Sequence, residues 1–505
     1  MGKSATKPPC IPTTTITNCF PKKKTEDSLP EPDPDCSDVQ RPALPAVVDA
    51  LSEKYQILDK LTKSFGRDPA ALLLDVAAYF AFSGSSTVQH FPAWAYDHPH
   101  YSGAGDSDST ISRLLKSVTQ EEINIFLDLW NKDVEHDQTI YVNGDTTNMN
   151  TDGKGIELAE IGYAKDDKTK PQINIAQAAS RKDNLPLFYD LYAGSYNDVS
   201  EFPYLVHMAE KFGYTKLGFI LDRGYFSKEN IKELTDNHYE LVMMVKDNNT
   251  CYKEMVTAHG QALKKNWRGY IPEQDVYGMT EEGSLFKGDD QVFYRHLYFS
   301  EDKEKGERQI LVQLLQKYEK ELEAGIREEN LTEKEAKKYA RYFNLIMKNG
   351  RVVSFNENQE NIDRAFNECG FFMLVTSENL DSEDTIQIYR SRDAVEKLFE
   401  SIKTGMDCSR FRVHSDVSLQ TKVFLIFIAT ILRSQFQRKL KEIRGNDKKN
   451  YTVTAGIKEL EKILLIRQDN GKFERSRKLT MRQKKMLGAF DISEKEIDMI
   501  ANKLQ

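Results

Sequence analysis

The chain has 505 residues, 39% of them hydrophobic, and a net charge of −8 at pH 7. Its length predicts several folding units, while six cysteines in so long a chain exclude a disulfide framework. No apolar run long enough to span a membrane and no signal sequence are evident, so we expect a cytoplasmic protein that does not bind membranes.

The N-terminal part divides into a tail and a helical domain. Residues 1–43 are rich in proline and polar residues, which predicts disorder. Residues 44–136 have the pattern of helices, and the most apolar of these covers residues 70–82. Asp68 is expected to be the N-cap of that helix.

A second helix is predicted to begin near the end of the helical domain. Thr119 and Glu122 match a capping box, in which each side chain binds the backbone N–H of the other residue. One face of the helix that follows is apolar and is expected to be buried; it consists of Ile123, Phe126, Leu127 and Trp130.

Two predicted strands each lead to an aspartate. The β-branched and aromatic run 139–143 leads through Gly144 to Asp145, and the apolar run 217–221 ends at Asp222. The second run shows no alternation, which predicts a strand buried on both faces. Because ligands bind beyond the strand ends of open sheets flanked by helices, both aspartates are candidate site residues.

The segments around these strands predict a mixed α/β core over residues 137–247. The further predicted elements are strands at 158–163 and 172–177, helices at 200–212 and 228–237, and a strand at 239–245. We expect the first two of these strands to form an antiparallel meander with the Asp145 strand. The order is then three strands, helix, strand, helix, strand.

The next segment, residues 248–367, is too long for a loop within a compact domain and predicts an inserted domain. Its expected elements are strands near 291–299 and 351–355 and a charged helical stretch near 307–341, whose second half starts at a capping box of Thr332 and Glu335. Trp267 is the only tryptophan in this segment, and an ordinary core or surface aromatic is favoured over a ligand-stacking role.

A stripe of one phenol, one carboxylate and two cations is predicted on one helix after this segment. Tyr389, Arg392, Glu396 and Lys403 follow one another at steps of three, four and seven residues, which return to the same face of an α-helix. Such a stripe can meet a metal ion and a phosphate backbone together. Arg392 and Glu396 equally match a surface ion pair worth only a few tenths of a kcal/mol, roughly. The two upstream aspartates favour the first interpretation.

The C-terminal part is basic although the whole chain is acidic. Residues 401–505 contain 23 Lys and Arg against 12 Asp and Glu. Residues 368–440 are expected to complete the core, with a buried helix over 423–432, and residues 441–505 form a basic region. Its densest cluster is Arg475, Arg477, Lys478, Arg482, Lys484 and Lys485. Both a solvated tail and a contact with DNA or a partner subunit remain open for this cluster.

With these motifs in place, the chain resembles the DDE transposases of bacterial insertion sequences, in the IS-four-type superfamily with a Tyr-x2-Arg-x3-Glu-x6-Lys signature. All four signature positions are met, Asp222-Arg-Gly-Tyr225 resembles the second-aspartate motif, and Asp145 takes the place of the first. The resemblance implies a ribonuclease H-like catalytic core, interrupted by an inserted domain and preceded by a helical domain that binds terminal repeats. The insertion is largely β in the family, and this chain departs from that pattern because its charged helical stretch predicts an α+β domain.

The resemblance also implies residue roles. Asp145, Asp222 and Glu396 would be the catalytic metal ligands, and the DNA contacts would be Tyr389, Arg392, Lys403 and Arg223. Hard carboxylate ligands favour Mg²⁺ or Mn²⁺, and two such ions activate the attacking oxygen and stabilise the leaving one in phosphodiester cleavage.

The function expected on these grounds is cut-and-paste DNA transposition in the bacterial cytoplasm, at the nucleoid, by a homodimer that binds inverted terminal repeats and target DNA. A non-catalytic DNA-binding descendant of a transposase and a ribonuclease H-like nuclease without strand transfer remain alternatives. No phosphate-binding loop of the Gly-x4-Gly-Lys type and no Gly-x-Ser-x-Gly elbow is present, which argues against ATP-driven and serine-hydrolase chemistry.

Overall fold

A computed structural model describes most of the chain from Val39 onward. The described residues are 39–103, 107–134, 139–151, 153, 155–161, 170–180, 185–195, 206–327, 331, 336–390, 410–411, 413–445 and 447–504, without the side chains of 108, 142–148 and 410. The chain divides into two compact units, one of residues 1–217 and 391–505 and the other of residues 218–390.

Between Ala43 and Lys132 the described residues of the first unit are mostly helical, as predicted. Helices α1 to α6 span Ala43–Tyr55, Ile57–Phe65, Arg67–Phe82, Phe91–Asp97, Asp108–Ser117 and Gln120–Lys132. The capping box is confirmed, because Thr119 Oγ1 accepts the N–H of Glu122 at 3.3 Å and the Glu122 carboxylate accepts the N–H of Thr119 at 2.8 Å. The predicted apolar face of α6 is buried.

Two details of this region differ from the sequence prediction. Helix α3 begins at Arg67, so its N-cap is Gly66, with φ 81°, and not Asp68. Asp68 lies in the first turn, where a negative charge still interacts favourably with the helix dipole. Ordered structure also begins before residue 44, since Val39–Gln40 forms strand β1 and the Arg41 guanidinium binds the Asp97 carboxylate at 2.8 Å.

An antiparallel meander follows the helices. Strands β2, β3 and β4 span Ile140–Thr151, Gln172–Ser180 and Pro186–Ala193 and pair in sequence order. The β2–β3 register shifts between Asn143 and Thr147, so the backbone at Asp145 departs from the regular ladder. The expected strand at 158–163 is wrong for its described residues, which form turns and one bridge, from Glu160 to Gln172. The third strand is β4 instead.

The chain then enters the second unit through a parallel strand pair. Residues 206–211 form helix α7, and residues 200–205 of the predicted helix lie outside the described residues. Strand β5, helix α8 and strand β6 span Leu217–Leu221, Lys228–Asp236 and Glu240–Met244, close to their predicted positions. All of β5 is buried, and its parallel pairing with β6 explains why a crossover helix separates them.

The predicted insertion contributes strands to this same sheet. Helix α9 spans Thr250–Leu263, and strands β7, β8 and β9 span Tyr270–Ile271, Val276–Gly283 and Phe293–Phe299. Within the second unit, the strand order is β5-β6-β12-β9-β8-β7, where β12 is Phe371–Thr376. Part of the insertion therefore extends the sheet rather than folding apart from it.

The rest of the insertion packs as a smaller layer with its own core. Helix α10 spans Glu301–Arg327, strands β10 and β11 form a hairpin over Phe343–Lys348 and Arg351–Glu357, and helix α11 spans Gln359–Glu368. Leu322, Tyr339 and Ile362 are among its buried side chains. Helix α10 covers the first half of the predicted charged stretch and ends at Arg327. The expected capping box at Thr332 and Glu335 lies outside the described residues, residue 336 is helical, and residues 337–341 form turns where helix was predicted.

Helix α12, residues 382–390, ends the second unit, and the remaining elements belong to the first. Strand β13 at Arg410–Phe411 pairs in parallel with β2. The later elements are α13 at Asp416–Ile443, α14 at Val453–Leu460, β14 at Leu465–Arg467, β15 at Phe473–Arg475, α15 at Met481–Gly488 and α16 at Glu494–Lys503. Strand β14 pairs with both β1 and β15, so the two ends of the described chain meet in one sheet.

Helix α13 forms the centre of the first unit. The predicted core run 423–432 lies within it and is entirely buried, and the helix packs on α3 and on β4. Among the described residues it is the one helix long and apolar enough to cross a membrane. No segment of that length was predicted from the sequence. However, 78% of its most apolar 18-residue segment is buried inside the protein, as is usual for a core helix.

Candidate active site

Asp222 lies directly after the buried strand β5, as the sequence predicted. Its Oδ1 atom accepts the N–H of Gly224 at 2.6 Å, and the Tyr225 N–H donates to the Asp222 carbonyl at 3.2 Å, which closes a tight turn. A Cβ atom on Gly224 would lie 2.8 Å from Asp222 Oδ1, so a side chain there would displace the carboxylate from its present position. The turn therefore fixes the carboxylate at the end of the strand.

The second oxygen of Asp222 is available for a ligand. The carboxylate is half-buried, and no described residue hydrogen-bonds to Oδ2. A carboxylate with one oxygen held by the backbone and one open is a suitable ligand for a hard cation such as Mg²⁺. Asp222 thus fits the metal-binding role expected of it.

The other predicted metal ligands are described only in part. Asp145 was predicted to follow the end of a strand, which is wrong, because strand β2 continues through it from Ile140 to Thr151. Its backbone lies at the register shift of β2, and its side chain is outside the described set. Glu396, Arg392 and Lys403 lie entirely outside the described residues. Within the described part, no group of three or more His, Cys, Asp or Glu side chains is placed to hold a metal ion. The shared site of the three carboxylates accordingly stays a prediction.

Tyr389, the first signature residue, is buried in helix α12. Its hydroxyl lies 3.8 Å from the sulfur of Met244, the last residue of β6. The helix is also fixed at both ends, because Tyr298 Oη donates to the carbonyl of Ser382 at 2.7 Å and the Arg390 guanidinium donates to the carbonyl of Gln274 at 2.5 Å. The start of the signature is therefore docked on the sheet of the second unit.

A histidine that the sequence reading missed lies under this helix. His296 on β9 is fully buried and lies 2.9 Å from Thr280 Oγ1 on β8 and 3.0 Å from Thr376 Oγ1 on β12. Its Nε2 is also 3.4 Å from Thr385 Oγ1 on α12. Burial lowers the pKa of His296 to about 4, so the ring is neutral near pH 7. A single histidine in a strand of alternating pattern does not indicate, from the sequence, that its ring connects two strands and a helix.

Arg223, the fourth predicted DNA contact, follows Asp222 and is largely exposed. Its guanidinium lies 3.4 Å from the carboxylate of Asp247, which is also exposed. Exposed pairs of this kind contribute about 0–1 kcal/mol and separate readily. Arg223 is therefore accessible to a phosphate in solution.

Beside this turn lies an open cavity of about 1020 Å³, here called the basic cavity. It is lined by the turn residues Arg223 and Gly224, the segment after β6, and helices α9, α10 and α11. Its cations are Arg223, Lys246, Lys253, Lys303, Arg341 and Arg364. Nothing in the spacing of these residues along the sequence indicates that they converge.

The comparison with known families decides the identity of the chain. The family model of the transposase DDE domain matches residues 145–432, more than half of the sequence. The chain belongs to this transposase family. The match begins at Asp145 and spans Asp222, Tyr389 and Glu396.

Solved structures and curated proteins resemble this transposase less clearly than the family model does. A solved structure of the piggyBac transposase synaptic complex with hairpin DNA matches with a TM-score of 0.38 and 12% identity, over 91% of this chain and 85% of the other. That likeness is too low to carry an argument about this chain. No curated protein matches the sequence significantly.

Trp267, the tryptophan of the insertion, is 72% exposed in this transposase. It lies in a short 3-10 turn after α9, and the guanidinium carbon of Arg268 is 4.7 Å from its ring centroid. Trp267 is therefore not a core residue, and its role as an ordinary surface aromatic stays a prediction.

Proposed function

We propose that this chain is a DNA transposase that binds inverted terminal repeats and catalyses metal-dependent DNA cleavage followed by strand transfer. The observation that carries the proposal is the family match from Asp145 to residue 432, which contains all three candidate carboxylates. The open Oδ2 of Asp222, fixed at the end of a buried strand, supports it.

In this proposal each residue type has a separate role. Asp145, Asp222 and Glu396 hold two Mg²⁺ or Mn²⁺ ions, which when bound supply the Lewis acid that activates water or a 3′-hydroxyl and stabilises the leaving oxygen. Arg392 and Lys403, with Arg223, hold the phosphates of the strand. Tyr389 was predicted to hold the strand as well, but it is buried beside Met244, so in this proposal it holds the start of the signature on strand β6. Two copies of the chain bring two element ends together at the nucleoid.

The first experiment measures cleavage and joining separately. The substrate is a labelled duplex that carries the inverted repeats found in the DNA flanking the coding sequence. We expect the wild-type protein to nick the duplex and join its 3′ end to target DNA when Mg²⁺ is present. Cleavage without joining would indicate a nuclease, and binding without cleavage would indicate a non-catalytic DNA-binding protein; either result would overturn the proposal.

The second experiment tests the three carboxylates. Asp145→Asn, Asp222→Asn and Glu396→Gln should each abolish cleavage and keep most DNA binding, because each removes a metal ligand while preserving shape. Asp236→Asn is the matched control, since Asp236 is an exposed aspartate at the end of α8 in the same unit as Asp222. Full cleavage by any of the three variants would remove that residue from the site.

A further inference from the structure

The C-terminal region carries cations that its own carboxylates do not neutralise. Segment 476–485 contains five lysines and arginines and no acidic residue. Lys484 is neutralised, because its ammonium lies 2.8 Å from the Glu494 carboxylate, which also binds Arg475 just before the segment. The other four cations of the segment are exposed and have no ion pair among the described residues; they are Arg477, Lys478, Arg482 and Lys485.

A second basic segment lies beside this one, although the two are far apart in the sequence. The Lys485 ammonium lies 5.2 Å from the ring centroid of Tyr451, at the end of a short 3-10 turn. Lys448 and Lys449 at the start of that turn are exposed, and neither has an ion pair within the part of the chain that the structure describes. The C-terminal basic surface is defined by these six cations, Lys448, Lys449, Arg477, Lys478, Arg482 and Lys485.

The helix at the centre of this surface is held in a fixed position. Thr480 Oγ1 accepts the N–H of Gln483 at 3.2 Å, and Gln483 Oε1 accepts the N–H of Thr480 at 2.9 Å, which forms a capping box at the start of α15. Gln483 Nε2 also donates to the carbonyl of Glu459 on α14 at 3.2 Å. Arg482 and Lys485 lie three residues apart on the same side of α15, and the helix dipole adds to the positive potential at its start.

The composition of this surface selects among anionic partners. Met481 is 81% exposed and is the one large hydrophobic side chain exposed in segments 447–451 and 476–485, both of which are fully described. A single methionine provides too little apolar area for a membrane anchor or for the core of a subunit interface. Tyr451, the one aromatic residue of these segments, is buried, so an unpaired base has no ring to stack on. Exposed cations without apolar or aromatic neighbours match the phosphates of a duplex, whose bases stay stacked inside.

We propose that the C-terminal basic surface binds the phosphate backbone of duplex DNA without reading its sequence, as a contact additional to those at the active site. The inference rests on the proposed function, because a DNA transposase has a duplex substrate to hold. Each phosphate that such a surface contacts releases condensed counterions, so the affinity gained here decreases as the salt concentration rises.

The test measures binding of the full chain, without divalent ions, to two fluorescein-labelled duplexes of about 30 base pairs, one with the inverted repeats and one with the same bases scrambled. The variant Arg477→Gln/Lys478→Gln/Arg482→Gln/Lys485→Gln should bind both duplexes at least about tenfold more weakly at about 0.15 M salt. It should also reduce the slope of log K against log salt by about 3 to 4, because each lost duplex contact removes about 0.9. All four side chains are exposed, so folding should be preserved, and thermal unfolding checks this.

A second variant tests the other segment, and a control tests the effect of net charge. Lys448→Gln/Lys449→Gln should reduce the slope by about 2. The matched control is Lys232→Gln/Lys265→Gln/Lys320→Gln/Lys348→Gln, which removes the same charge from exposed lysines of the second unit. It should bind both duplexes like the wild type.

A cleavage assay with Mg²⁺ separates binding from catalysis. At saturating DNA the fourfold variant of the basic surface should cleave at the wild-type rate, because the surface holds DNA and takes no part in the reaction. The DNA concentration that gives half the maximal rate should rise at least about tenfold, in line with the weaker binding.

Four results would overturn the inference. They are an affinity and salt slope of the fourfold variant equal to those of the control, a loss confined to the repeat duplex, an equal loss for single-stranded oligothymidylate, and a change of oligomeric state in light scattering with unchanged DNA affinity. The last result would identify a subunit contact instead. Because the binding measurements need no metal, their failure is distinguishable from failure of the proposed function, which Asp222→Asn cleavage assays decide independently.

Discussion

The ring of His296 lies 3.0 Å from Thr376 Oγ1 and 3.4 Å from Thr385 Oγ1, which links strand β12 and helix α12 through one buried imidazole. Helix α12 carries Tyr389 and leads into the signature. The predicted insertion, which supplies β9, is thus part of the support for the candidate active site.

This imidazole makes the second unit sensitive to acid. The folded pKa of His296 is about 4 because burial disfavours the charged ring, whereas the ordinary value is 6.5. The unfolded chain therefore binds the extra proton first, and stability falls as the pH drops from 6.5 toward 4. Between pH 7.5 and 5.5 we expect a loss of about 1.4 kcal/mol from this residue in urea unfolding.

The variant His296→Gln separates this effect from other titrating groups. It should have lower stability than the wild type at pH 7.5 but lose less on acidification, because it has no ring to protonate. His238→Gln, at an exposed position before β6, is the control and should behave like the wild type. Equal pH dependence in wild type and His296→Gln would contradict the assignment.

His98 should give the opposite pH dependence in the first unit. Burial lowers the pKa of its ring, but hydrogen bonds to Asp97 and Glu461 outweigh this and raise it to about 9. Its nitrogens lie 2.6 Å and 3.1 Å from these carboxylates. The stabilisation is fully present below the unfolded pKa of 6.5 and is lost as the pH rises through about 9, amounting to roughly 3 kcal/mol.

Urea unfolding at pH 6 and at about pH 9.5 measures this loss. Glu461→Gln should abolish most of the difference and destabilise the protein at pH 6, since it leaves a buried cation with one partner fewer. His90→Gln, which changes an exposed histidine before α4, should change neither value. A wild-type protein equally stable at both pH values would exclude the buried ion pair.

Gly224→Ala should damage catalysis more than stability. The new Cβ would lie 2.8 Å from Asp222 Oδ1, and the carboxylate can rotate away from it. We expect at least about a tenfold lower rate of Mg²⁺-dependent cleavage, because ligands displaced by even 1 Å lower rates strongly. Thermal unfolding should change little. An unaltered cleavage rate would show that the turn does not position Asp222.

Gly306→Ala serves as the control for that change and is a prediction in its own right. Gly306 lies within α10, and a Cβ added there would meet nothing within 4 Å. Alanine should therefore stabilise the protein by about 0.5–1 kcal/mol, the usual helix preference over glycine. Chemical denaturation measures this gain, and cleavage should be unchanged. A loss of stability would mean that this part of α10 is not helical in solution.

Local sequence patterns were sufficient to predict several helices and strands and to select the candidate site residues. The uninterrupted apolar run before Asp222 predicted a strand buried on both faces, and Thr119 with Glu122 predicted a helix start that has both capping hydrogen bonds. These features depend on neighbours within a few residues, so the sequence carries them directly. The acidic residues and the signature led to the transposase family in the same way.

Other features depended on which distant segments pack together. Residues 158–163 have a strand-like pattern, yet the third strand of the meander is β4, because pairing depends on partners elsewhere in the chain. The sequence likewise did not predict that β7, β8 and β9 join the sheet that contains β6.

The sequence by itself determined which chemical groups are available, namely Asp222 after a buried strand, a second upstream aspartate, and a signature with Glu396 between cations, since residue type and short spacing are local. Only the tertiary structure decided how the chain supports that chemistry. It placed His296 beneath the helix that begins the signature, and the cations of the basic cavity around an exposed isoleucine. Such convergence depends on long-range packing, which residue spacing does not encode.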